Sequence, residues 1–169
     1  MEGRVKLLGH PLHQMLIVLP LGLLVGAIAF DVVALVGRNG FWSEMAYWLI
    51  AAGLIGGLLA APFGLIDWTK IPGGTRARRV GALHGLGNVL VVLIFAASWW
   101  MRRDAPRTPP SLALVLSFAG GALAAVTGWL GGELVDRMGV GVDDGAHLDA
   151  PSSLSGRPAR EGMRAATHS

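Results

Sequence analysis

Four long apolar runs dominate the chain, and polar residues fall between them rather than alternating within them. Leu12 to Val36, Met45 to Ile66, Val80 to Trp100 and Ser111 to Val135 are each about 20 residues or longer. As helices rising 1.5 Å per residue, such runs cross the ~30 Å hydrocarbon layer of a bilayer. The pattern predicts an all-α integral membrane protein: an antiparallel four-helix bundle over residues 1–142 with both termini on one side, then a polar tail over 143–169. Arg4 and Lys6 imitate the start of a secretory signal, but the run behind them is too long and ends without a small-residue cleavage site, so it reads as a retained helix.

Small residues indicate how these helices pack. Gly22 and Gly26, Gly81 and Gly85, and the ladder Gly120, Ala124, Gly128, Gly132 recur at four-residue spacing. Such stripes let backbones approach where no hydrophobic force drives helices together. The ladder predicts a central fourth helix with that face against a neighbour, and Pro20 and Pro62 predict bends in the first two helices. Trp42, Trp48, Trp99 and Trp100 mark one interface, Trp68 and Trp129 the other.

Composition supports the lipid phase, with 53% hydrophobic and 15% charged residues. The absence of cysteine removes disulfides, thiolate metal sites and iron-sulfur ligation, so a metal or haem would need His, Met or carboxylate. Basic residues sit in short segments between apolar runs, which points to topology rather than nucleic acid. Arg4, Lys6, Lys70, Arg76, Arg78, Arg79 and Arg137 outnumber Arg38, Arg102, Arg103 and Arg107 on the opposite side. The excess predicts cytoplasmic termini in a prokaryotic inner membrane, with Arg76, Arg78 and Arg79 also able to attract anionic headgroups.

Helix alternation gathers the candidate chemistry at one face. His10 and His13 open the first run, Asp67 closes the second, His84 and Asn88 begin the third, and Glu133 and Asp136 end the fourth. Neutral imidazoles on facing helices suit a b-type haem or a transition metal, so His10, His13 and His84, with Asn88 a turn deeper, are the candidate cofactor site. His10 and His13 share a helical face only if the helix starts ahead of Pro11. The structural alternative has His10 and His13 at the interface and His84 bonded to Asp67 or to a backbone carbonyl. Asp31, an isolated acid inside the first run, lies eighteen residues beyond His13, five full turns, which suggests a proton path; its structural reading is an ion pair with an arginine or a contact with a neighbour's backbone. The segment Val142 to Asp149, VDDGAHLD, has the donors for weak divalent-cation binding but not the order of an EF-hand, and reads as a solvated loop. No soluble-enzyme motif is present, so the residues lean away from an enzyme.

The stretches GHPLHQMLIVLPLGLL from Gly9, GLIDW from Gly64, HGLGN from His84 and GWLGGELVDRMGVGV from Gly128 resemble an uncharacterised prokaryotic membrane family, domain-of-unknown-function family 2231. The resemblance covers the chain to about Ser155. Some relatives carry a fused Rieske-type iron-sulfur domain, which implies proximity to electron transfer; this chain has neither that domain nor cysteine, and has Asp136 where many members have tyrosine. Together these features predict a small multi-pass protein that holds a haem or metal between His13 (or His10) and His84 and passes electrons, with the lipid bilayer and a homo-oligomer or larger redox complex as partners. The alternatives are a non-enzymatic structural or assembly subunit and, third, a small transporter or proton pathway through Asp31, which four helices without an evident repeat support least.

Overall fold

A computed structural model of the chain describes residues 1–162, and about 70% of the chain is helical. A two-residue hairpin, β1 (Lys6–Leu7) and β2 (His10–Pro11), precedes α1 (Leu12–Leu16), α2 (Val18–Gly37), α3 (Gly40–Lys70), α4 (Arg76–Arg102) and α5 (Ser111–Gly132). A π-helical turn (Glu133–Arg137) continues α5, and a 3-10 turn (Ser153–Ser155) lies in the C-terminal segment. α1 with α2, α3, α4, and α5 with its π turn make four segments long and apolar enough to cross a membrane.

The helices extend beyond their apolar runs because polar residues cap them. Asn39 accepts the Phe41 N–H at 3.0 Å at the start of α3, and Thr75 accepts that of Arg78 at 3.1 Å at the start of α4. Arg78 closes the end of α3: its guanidinium lies 3.7 Å over the Trp68 ring and donates to the Trp68 and Ile71 carbonyls at 2.7 and 3.1 Å. One arginine of the basic run is therefore a cap. Pro20 has no N–H for the Leu16 carbonyl, and α1 gives way to α2 at Ile17. α3 is continuous through Pro62, although the ring leaves the Leu58 carbonyl without its intrahelical donor. His10 lies in β2, so the helix starts too late to place it on one face with His13.

The long helices form two hairpins, α1/α2 with α3 and α4 with α5, and the hairpins carry the same register. His13, Leu24, Ala27 and Asp31 stand 71 residues before His84, Phe95, Ser98 and Arg102; Ala46, Ile50, Gly53, Ala60 and Gly64 stand 67 before Ala113, Ser117, Gly120, Thr127 and Gly131. Of the nineteen buried side chains among the described residues, twelve form six of these pairs: Leu24/Phe95, Ala27/Ser98, Asp31/Arg102, Ala46/Ala113, Ile50/Ser117 and Ala60/Thr127. Contacts repeat as well. A Cβ on Gly53 would lie 2.7 Å from the Leu24 side chain, and one on Gly120 would lie 2.8 Å from the Phe95 ring. An internal repeat is thus present where the sequence showed none. The offsets differ by four residues, close to one helical turn, which keeps the same side of the second helix facing the first.

The glycine ladder of α5 does not form a single packed face. Gly120 receives Phe95, but Gly128 and Gly132 have no neighbour within 4 Å of an added Cβ, and neither do Gly22 and Gly85. A strict four-residue ladder drifts around a helix of 3.6 residues per turn, and the side facing α4 passes to Thr127 and Gly131 instead.

Candidate functional site

The polar residues at one end of the bundle are tied together by contacts. Asp67 accepts the backbone N–H of Arg4 at 2.6 Å, Glu133 pairs with Arg76 at 2.7 Å, and the N-terminal ammonium donates to the Gly139 carbonyl at 2.9 Å. Lys6 bridges Glu2 at 2.8 Å and Asp143, which brings the start of the VDDGAHLD segment onto the N-terminus. An ammonium already occupies that carboxylate pair, and among the described residues no three His, Asp or Glu are grouped to hold a metal ion. The Asp143 and Glu2 carboxylates and the Lys6 ammonium stabilise one another's charges: Lys6 is pushed above its ordinary value chiefly by Asp143 and then by Glu2, and Glu2 is held below its own chiefly by the hydrogen bond from Lys6. Asp136 is exposed, and His10 is exposed with Nε2 3.4 Å from Ser153 Oγ.

His13 and His84 sit in matching niches. His13 Nδ1 lies 3.0 Å from the Ala60 carbonyl, and its ring covers Gly64, where a Cβ would come within 2.7 Å. His84 Nδ1 lies 2.8 Å from the Thr127 carbonyl, and its ring covers Gly131, where a Cβ would come within 3.1 Å. In both cases the accepting carbonyl precedes the glycine by four residues, one turn along the second helix of the hairpin. A carbonyl only accepts, so each Nδ1 carries the proton and each Nε2 keeps its lone pair.

The niches differ in what surrounds them. Asn88, one turn beyond His84, places its amide nitrogen 3.2 Å from His84 Nε2 and 2.9 Å from the His84 carbonyl, while its oxygen accepts the Thr127 hydroxyl at 3.1 Å. His13 has no such companion, because Ile17 occupies the equivalent position. His84 bonds to Thr127 rather than to Asp67, whose carboxylate is engaged by Arg4.

Asp31 is not isolated. Its two oxygens accept from the two terminal nitrogens of Arg102, each at 2.7 Å, and neither side chain has exposed surface. Arg102 also donates to Ser98 Oγ at 3.3 Å, Ser117 Oγ at 3.1 Å and the Ala113 carbonyl at 3.4 Å. Every charged atom in this cluster is partnered, as burial in a low-dielectric interior demands. The ion pair is the structural reading of Asp31 rather than the proton path suggested by its spacing from His13, and the identical eighteen-residue spacing from His84 to Arg102 identifies the partner. In the sequence Arg102 stands only among the basic residues of a connecting segment.

No curated protein and no solved structure matches the chain. Residues 9–144, which contain all four membrane-spanning segments in full, match the family described as a predicted membrane protein, DUF2231, and the chain belongs to that family.

Proposed function

We propose that His13 and His84 form one two-handed imidazole site for a b-type haem, and that the protein passes electrons within the membrane. The observation that carries this reading is the repeated niche: two equivalent imidazoles, each anchored through Nδ1 to a helix carbonyl and backed by a glycine, with no side-chain partner at His13 Nε2 among the described residues and only the Asn88 amide at His84 Nε2. Ligating histidines are oriented in this way, the non-ligating N–H being donated to a carbonyl that sets the tautomer and the ring plane. Two imidazoles suit a haem better than a bare ion, because a porphyrin supplies the remaining four donors that the described residues lack. Bound there, a haem would supply one-electron chemistry. At the His84 hand, Asn88 gives way for Nε2 to ligate, and its oxygen remains held by the Thr127 hydroxyl.

The excess of Lys and Arg at the end holding both histidines favours a cytoplasmic-side site in a prokaryotic inner membrane. An alkaline phosphatase fusion at the C-terminus should accordingly be inactive; activity would reverse the orientation. A second reading, a structural or assembly subunit of a larger complex, draws on Gly22, Gly85 and Gly128, whose open surfaces leave room for partner helices. Absorption spectra and iron analysis of the detergent-purified protein separate the two. The haem reading expects a Soret band that sharpens and shifts on dithionite reduction, is lost in His13→Ala and His84→Ala, and is kept in His147→Ala. A colourless, iron-free protein after expression with haem precursor and iron would reject it in favour of the assembly subunit.

A further inference from the structure

The ion pair joins two residues that occupy the same place in the repeat. Asp31 and Arg102 stand eighteen residues beyond His13 and His84, and each is fully buried. Contact between equivalent positions is the signature of a twofold relation, in which position i of one unit meets position i of the other. Two identical hairpins brought together in this manner would set carboxylate against carboxylate, or guanidinium against guanidinium, with no water to separate them. Like charges so placed are strongly unfavourable at low dielectric.

We infer that the inner surface of each hairpin is an interaction surface for a twofold-related hairpin bearing the opposite charge at this register, and that Asp31 and Arg102 determine which hairpin is accepted. The first hairpin then takes the second as its partner and rejects another first hairpin, whether from its own chain or from another copy. The surroundings fit an exchangeable lock. Arg102 draws on Ser98 of its own helix and on Ser117 and the Ala113 carbonyl of α5; the equivalent positions around Asp31 are Ala27, Ile50 and the Ala46 carbonyl. Serines thus accompany the guanidinium and apolar residues the carboxylate. This inference is independent of any ligand at the histidines.

The test uses the full chain purified in detergent, with the thermal unfolding midpoint and the monodisperse fraction as readouts. Asp31→Arg and Arg102→Asp each create a like-charged pair, and each should reduce the monodisperse fraction at least tenfold. Combining them restores opposite charges in the reverse order and should recover most of that fraction. A second variant adds Ala27→Ser, Ile50→Ser, Ser98→Ala and Ser117→Ile, which carries the whole environment across the repeat and should recover the midpoint further. Recovery in either combined variant supports the exchangeable lock. If both unfold as readily as the worse single substitution, the positions are not equivalent and the inference fails.

Discussion

Asp31 and Arg102 lie 71 residues apart in sequence, yet they meet through two parallel hydrogen bonds of 2.7 Å with neither side chain exposed. The fork of the guanidinium matches the two carboxylate oxygens, and two serines and a carbonyl use its remaining donors. Removing one member leaves the other charged and buried. Asp31→Leu or Arg102→Met should therefore cost about 3–5 kcal/mol, while the double substitution, which leaves no orphaned charge, should cost less than either single. Denaturation in detergent measures all three, and a double variant as unstable as the sum of the singles would show that the pair is not coupled.

The split glycine ladder makes a contrasting prediction on one helix. A side chain at Gly120 meets the buried Phe95 ring, so Gly120→Leu should destabilise the isolated protein by roughly 1–3 kcal/mol or more through overpacking. Gly128→Leu enters open space and should leave the midpoint of the isolated chain unchanged. If Gly128→Leu nevertheless prevents co-purification of a larger complex from membranes, the open face is a partner surface. Equal destabilisation by both would mean that Gly128 packs as closely as Gly120.

The Thr127 hydroxyl joins Asn88 to the Ala124 carbonyl, whereas the Thr127 backbone carbonyl anchors His84. Thr127→Val removes the first link and retains the second. It should cost about 0.5–1.5 kcal/mol, the usual net value of a hydrogen bond, and Thr127→Val with Asn88→Ala should cost less than the two separately. Strict additivity in this double-mutant cycle would mean that the two side chains do not interact.

Acid and base should each release the N-terminus from the C-terminal segment. Glu2 is held below its ordinary value of 4.5, so its contribution is present above 4.5 and is lost as pH falls through the lowered value. Lys6 is raised above its ordinary 10.5, so its contribution is present below 10.5 and is lost as pH rises through the raised value. The amides of Gly141 and Asp144, which donate to Met1 and Glu2, should be best protected from hydrogen exchange between these limits, after correction for the intrinsic pH dependence of exchange. Lys6→Ala should remove that protection at neutral pH. Unchanged protection in this variant would show that the ion pairs do not hold the segment.

Four runs of about 20 apolar residues determined the class of the protein by themselves, because the thickness of hydrocarbon translates directly into helix length and the cost of unpaired backbone in lipid leaves few alternatives. Alternation of those helices also put His13, Asp67, His84 and Glu133 at one end without further information. The internal repeat was hidden because its paired positions pack alike but differ in chemistry: Asp31 with Arg102, Ala27 with Ser98, Ile50 with Ser117, Leu24 with Phe95. The one-turn slip between the 71- and 67-residue offsets further prevents the halves from aligning at a single period. Only the tertiary structure decided which glycines face a neighbour, since a four-residue stripe drifts around the helix while a packed contact does not. It also decided where each polar atom finds its partner: Ala60 and Thr127 contribute backbone carbonyls, which every residue possesses, so no side-chain pattern could single them out as the anchors of His13 and His84.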